Sequence, residues 1–158
     1  MMRVHFTIPA EPIAQGRPRF STHGKFVRAY DPKKSRDWKA FVADFARKAM
    51  DEYSILTPME GPLCIRARFA FPLPKTQYRK RTPRKTQWHV KRPDLDNLFK
   101  GITDAMEGIV FHRDADISKV VMEKIIVAQG EAPYVSVVIE KLPADYSSKY
   151  VKNGENQS

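Results

Sequence analysis

Residues 94–109 put two chemistries on one helical surface, and that pairing restricts what the chain around them can become. Leu95, Leu98, Phe99, Ile102, Ala105, Met106 and Ile109 recur at three- and four-residue spacing, the pattern of a helix with one face in a core. Asp96, Lys100, Asp104 and Glu107 follow at helical spacing and fall on the opposite stripe. The helix is expected to run from Asp94 or Asp96 to Glu107, closed by Gly108 as a C-cap. Asp114 and Asp116 follow shortly, so five aspartates lie within residues 94–116.

The acids stand out because the chain is basic. Its 158 residues carry a formal net charge of +10. Residues 1–91 hold 20 Lys and Arg against 7 Asp and Glu, a balance of +13. Residues 92–158 hold 8 against 11, a balance of −3, which returns the +10 of the whole. The most basic window contains Lys75, Arg79, Lys80, Arg81, Arg84, Lys85, Lys91 and Arg92 without an acid. Such asymmetry suggests a nucleic acid or another anionic surface, and a solvated basic loop is the plainer alternative. Hard cations such as Mg2+ take carboxylate and phosphate oxygens together, so acids inside a cationic protein suggest a metal facing a phosphate substrate.

The rest of the chain reads as one domain. Arg3–Ile8 alternates as a strand, Gln15–Phe20 reads as an irregular basic loop, and Lys25–Tyr30 reads as a short strand. Asp31-Pro32 reads as an N-cap and first turn, opening a helix of about 19 residues that ends near Asp51. Trp38, Phe41, Val42, Phe45, Ala46 and Ala49 form its apolar stripe. Leu63–Phe71 alternates as a strand with Arg66 and Arg68 outward. Lys75–Lys91 has no period and is expected to be a long loop. Residues 117–127 and 134–139 are expected to form a hairpin about Gln129-Gly130-Glu131. The expected fold is α/β in the broad sense, an α+β mixed sheet with two main helices packed on it. The domain is placed at 1–141, with a flexible polar tail at 142–158.

Several classes fit poorly. A lone Cys64 makes no internal disulfide and no cysteine-built zinc site. The EF-hand pattern fails, because positions 98 and 99 are Leu and Phe. The N-terminus does not read as a signal peptide, and no apolar run reaches the ~20 residues of a membrane span. A cytoplasmic protein without a small-molecule cofactor is expected. Each acid also has an ordinary reading: Asp94 as a helix cap, and Asp96 with Lys100 as a surface ion pair.

Arg92-Pro93-Asp94-Leu95-Asp96-Asn97-Leu98-Phe99-Lys100, then Asp104-Ala105-Met106-Glu107-Gly108, then Asp114, resembles the RusA family of Holliday-junction resolvases. The resemblance covers about residues 4–140. Gly16-Arg17-Pro18-Arg19-Phe20 and Tyr30-Asp31-Pro32 look like its phage and prophage branch. It implies Asp94, Asp96 and Asp114 as metal-binding catalytic acids, Lys100 as a catalytic lysine, and Asp104 as a supporting acid. It also implies Mg2+, with Mn2+ as a substitute, a homodimer, and paired nicks in four-way DNA during recombination and repair. For a phage gene the location is the bacterial host cytoplasm. Arg17, Arg19, Lys75, Arg79, Lys80, Arg81, Arg84, Lys85, Lys91 and Arg92 are expected to hold the DNA backbone and Lys100 to lie buried among carboxylates; Trp88 is expected to pack, the alternative being that it stacks or wedges with His89 at the branch point. Arg113, Glu107 and Asp116 depart from the family pattern. The competing readings are a nuclease for flaps or other branched DNA, and a non-catalytic basic DNA-binding protein.

Overall fold

A computed structural model describes residues 2–24 and 26–146. Five strands form one mixed sheet: β1 (Arg3–Ile8), β4 (Leu63–Phe71), β5 (Gln87–Trp88), β6 (Ile117–Ile126) and β7 (Tyr134–Lys141). Their order is β1-β7-β4-β6-β5. A separate two-stranded ribbon joins β2 (Arg19–His23) to β3 (Phe26–Tyr30). Two helices, α1 (Lys33–Glu52) and α2 (Leu95–Met106), complete the fold. The expected α+β architecture with two main helices is therefore present. The tail expected at 142–158 lies, from residue 147 onward, outside the described residues.

β4 is the central strand. Arg66 and Arg68 are its only exposed residues, and each faces an acid: Arg66 lies 3.6 Å from Glu140, and Arg68 pairs with Glu123. Its other side chains are buried, which fits a strand covered on both edges by neighbours. The expected hairpin of the last two strands is not formed. β6 runs parallel to β4 on one side and β7 antiparallel on the other, so β4 lies between them. The reason lies in β4 itself: apart from Arg66 and Arg68 all its side chains are buried, and a strand on each edge supplies that interior position. Local pattern alone made residues 128–131 look like a tight connection.

The helices cover one face of the sheet. Trp38, Val42, Ala46, Ala49 and Met50 of α1, with Leu98, Ile102 and Met106 of α2, share a core with Val4, Ile8, Ile65, Phe69 and Val137. Phe41 departs from its expected place in the core and is 40% exposed, edge-on to Phe45. Asp31 does not cap α1, which starts one residue later than expected with Pro32 as N-cap. Its carboxylate instead accepts hydrogen bonds from Lys39 at 2.6 Å and Gln15 at 3.2 Å, and the Lys39 bond holds it below the usual carboxylate range. Part of the expected basic loop is strand, since Arg19 and Phe20 belong to β2. Among the described residues no helix is long and apolar enough to cross a membrane.

The turn carrying Asp114 is held by a close backbone approach. A Cβ on Gly61 would lie 2.6 Å from the Asp116 carbonyl oxygen, so only glycine fits there. Gly61→Ala is expected to cost about 1–3 kcal/mol by overpacking, read as a lower midpoint in thermal unfolding. An unchanged midpoint would mean the turn sits elsewhere.

Candidate nucleic-acid interface and acidic site

The sheet has two chemically different ends, and α2 connects them. Pro93 lines a depression with Phe71 and Ile126, the last residues of β4 and β6, so α2 starts at that end. It runs back along the sheet for about 18 Å at the usual helical rise. After it, Val110 accepts a 2.7 Å hydrogen bond from the Met59 N–H, and Asp114–Asp116 form a 3-10 turn just before β6. That turn lies beside Gly61 and Leu63, at the start of β4.

Asp94 is the N-cap residue of α2 in extended conformation, and its side chain caps nothing. Asp96 sits in the first turn. Both are exposed, as is Asp114. Among the described residues none forms an ion pair with Asp94, Asp96 or Asp114. In a chain of this charge, carboxylates left open in this way are free to take a cation. The capping and salt-bridge readings therefore lose their support at Asp94 and Asp96.

Lys100 is not buried as expected; its side chain is 61% exposed and lies 3.4 Å from Asp104. The other oxygen of Asp104 faces Lys39 at 3.6 Å. Asp104 thus tethers Lys100 on the exposed stripe, one helical turn from Asp96. Asp114 does not join the first two aspartates within one chain. It lies at the far end of the sheet, on the order of 20 Å from them by the rise of α2 and β6. Accordingly, no three of His, Cys, Asp and Glu come together to hold a metal ion among the described residues.

Basic segments flank the start of α2 on both sides. The Gln15 N–H donates to the Asn97 carbonyl at 3.0 Å, which docks the 15–19 loop on the first turn of α2. Arg17 and Arg19 line a groove with Phe71 and Pro93, while Lys91 and Arg92 line the neighbouring one with Trp88. The expected long loop is partly ordered by β5 and by Gln129, whose side chain bonds Arg79 through both N–H and carbonyl at 2.9 Å. Arg84 donates to the Gln77 carbonyl at 3.0 Å. Arg79, Lys80, Arg81, Arg84 and Lys85 are thereby carried at the same end of the sheet as Asp94, as is Lys75 in a 3-10 turn just after β4. None of the ten basic side chains expected to touch DNA forms an ion pair with a described residue.

Trp88 does not pack as expected. It is 69% exposed beside these cations, while its neighbour His89 stacks on Phe71 at 4.5 Å between ring centres. Two residues that sequence reading missed hold the arrangement. Lys124 of β6 donates to the Lys91 carbonyl and, at 2.8 Å, to the Pro93 carbonyl, fixing the strand of chain that enters Asp94. Gln129 pins the basic loop. Neither carries a sequence signal, because both act on backbone groups distant in the chain.

The family model for the endodeoxyribonuclease RusA matches residues 9–140. A Bacillus subtilis (strain 168) protein, named as uncharacterized protein YqaN, is 34% identical over 146 residues, covering 89% of this chain and 98% of YqaN. This chain belongs to the RusA endodeoxyribonuclease family.

Two outcomes are expected here. Lys124→Ala should slow DNA cleavage by about ten- to a hundredfold through misplacement of Asp94, with DNA binding retained in a mobility-shift assay. A variant of unchanged turnover would remove Lys124 as a positioning residue. Burial, reinforced by Lys124, lowers the His89 pKa from its ordinary range. The unfolded chain then takes up that proton first, so stability holds above about pH 6.5 and falls as pH drops below it. His89→Phe should flatten this slope in thermal unfolding between about pH 8 and about pH 5; a slope as steep as the parent's would exclude His89.

Proposed function

We propose that this protein is a divalent-metal-dependent endonuclease that resolves four-way DNA junctions by paired nicks, serving recombination and repair. The observation that carries the reading is a pair of open carboxylates, Asp94 and Asp96, flanked by basic segments in a RusA-family fold. Their donor set is oxygen alone, which suits Mg2+ or Mn2+. Asp94 and Asp96 would hold the metal, which when bound lowers the pKa of a water and stabilises charge on a phosphate; Asp114, the third acid of the motif, stands at the other end of the sheet and does not reach them within one chain.

The chain's own groups do the rest. Arg17, Arg19, Lys91 and Arg92 bind phosphates on either side of the acids and fix the backbone without reading bases. Lys100, tethered by Asp104, supplies a positive charge to the phosphate as negative charge grows on it. Lys75, Arg79, Lys80, Arg81, Arg84 and Lys85 extend the cationic surface toward a second arm of the DNA. Trp88 offers an exposed ring on which an unstacked base at a branch point can lie. That ring favours branched DNA over continuous duplex. A flap nuclease would use the same groups, and a substrate panel separates the two.

The test is cleavage of a synthetic four-way junction beside matched duplex, flap and single-strand DNA, with Mg2+ and with EDTA. Symmetric paired nicks in the junction alone, and only with Mg2+, are expected. Cutting confined to flaps would discard the junction role, and binding without cutting would leave a non-catalytic DNA-binding protein. Asp94→Asn should abolish cleavage and keep junction binding. Lys100→Ala should reduce turnover by about 10²–10³-fold; near-normal turnover would exclude that lysine from the mechanism.

A further inference from the structure

Asp104 holds two lysines at once. Its Oδ1 lies 3.4 Å from Lys100 Nζ, and its Oδ2 lies 3.6 Å from Lys39 Nζ. Lys100 stands one turn earlier on α2, whereas Lys39 comes from α1. The two helices meet tightly beside these residues: a Cβ on Gly101 would lie 3.5 Å from the Trp38 ring and 3.4 Å from the Ile13 carbonyl. Lys39 is no loose surface cation. Its side chain is 20% exposed, against 61% for Lys100, and its Nζ also donates to Asp31 at 2.6 Å. Asp31 is fixed in turn, because its other oxygen accepts from the Gln15 side chain at 3.2 Å. The Gln15 N–H donates to the Asn97 carbonyl of α2 at 3.0 Å. The contacts close a ring, Lys100–Asp104–Lys39–Asp31–Gln15, that begins and ends on α2.

We infer that Lys39 is a positioning residue for Lys100, which it keeps available to a phosphate by occupying half of Asp104. The inference rests on the role given to Lys100 above. A surface ion pair on one helix needs a single lysine, and Lys100 with Asp104 at four-residue spacing is already such a pair. A second lysine, anchored from another helix, does something different. The two acids and two lysines of the ring sum to zero charge. With one Asp104 oxygen engaged by Lys39, Lys100 is retained on the exposed stripe by the other, and its remaining N–H groups stay free to donate. Without Lys39, both oxygens turn to Lys100, and the ring carries one net negative charge beside the place where charge grows on the phosphate. Both effects weaken what Lys100 supplies electrostatically. Lys39 acts through Asp104 and does not itself touch the phosphate.

Lys39→Met and Lys39→Gln test this; glutamine keeps a donor for Asp31 and removes only the charge. Both should lower junction turnover by about tenfold and leave junction affinity within about twofold. Lys39→Arg, which keeps the charge, should hold turnover within about threefold of wild type. In a double-mutant cycle, Lys39→Met should cost no further turnover once Asp104→Asn is in place. Costs that multiply would put the action of Lys39 elsewhere and overturn the inference, as would wild-type turnover in both variants or a loss of affinity that accounts for the lost rate. A second readout needs no DNA: acylation of Lys100 by an amine reagent, followed by peptide mass spectrometry. It should slow by about twofold in Lys39→Met, where both Asp104 oxygens hold Lys100, and recover when Asp104→Asn is added. Labelling that Lys39→Met leaves unchanged overturns the inference. If wild-type protein cuts no DNA, the proposed function fails, while labelling still judges the link from Lys39 to Lys100.

Discussion

The parallel pairing of β4 with β6 is the constraint on which the rest of the molecule depends. Parallel strands cannot be joined by a tight turn, so the chain between them must travel the length of the sheet. Here it carries the basic segment out from the end of β4, turns into α2, and returns beside the start of β4 before entering β6. The connection that makes the sheet possible therefore also carries the candidate site residues. Asp94 and Asp96 fall at its outgoing end and Asp114 at its returning end. Had β6 paired antiparallel, a short connection would have sufficed, and α2 would have no structural reason to be there.

Charge is distributed according to the same geometry. Away from the candidate site, several basic side chains on the sheet and α1 are matched with acids: Arg66 with Glu140, Arg68 with Glu123, Lys39 with Asp31. At the C-terminal end of β4 and β6 they are not matched. Exposed pairs contribute little to stability, typically under about 1 kcal/mol, so this difference has small consequences for folding. Its consequence is for the surface field. Unmatched cations at one end concentrate positive potential where the open carboxylates stand, and a polyanion approaching that end meets little local cancellation. On the proposed reading, a divalent cation at those acids would relieve their repulsion of the polyanion, so that metal and DNA would support one another's binding.

Much of this was legible in the sequence, for reasons that differ by element. β1, β4 and both helices could be read because their side-chain periodicity is itself the signal of burial on one face. The aspartates could be read because their spacing on a helix start is local. The placement of β4 between β6 and β7 could not, because which strands neighbour each other is decided by long-range packing that leaves no mark on the 128–133 connection. Trp88 looked like a core residue by type, yet the two-residue β5 gives it no partner surface. Lys124 and Gln129 were invisible because a side chain bonding a distant carbonyl has no pattern. Asp114 was recognised by motif while its distance from Asp94 was not, since a motif records order along the chain and not separation in space.

The two departures from the family pattern around Asp114 belong together physically. Arg113 donates from Nε to Asp116 at 3.3 Å, so an arginine and an aspartate, each unusual at its position, face one another across the same 3-10 turn. The Asp116 side chain is also largely covered, with the backbone at Gly61 closing over it. The pair leaves Asp114 as the acid of that turn with no basic neighbour in ion-pair range among the described residues. A second free carboxylate at position 116 would compete for a cation; Arg113 removes it from contention. The residues at 113 and 116 therefore leave one available acid at this turn, Asp114.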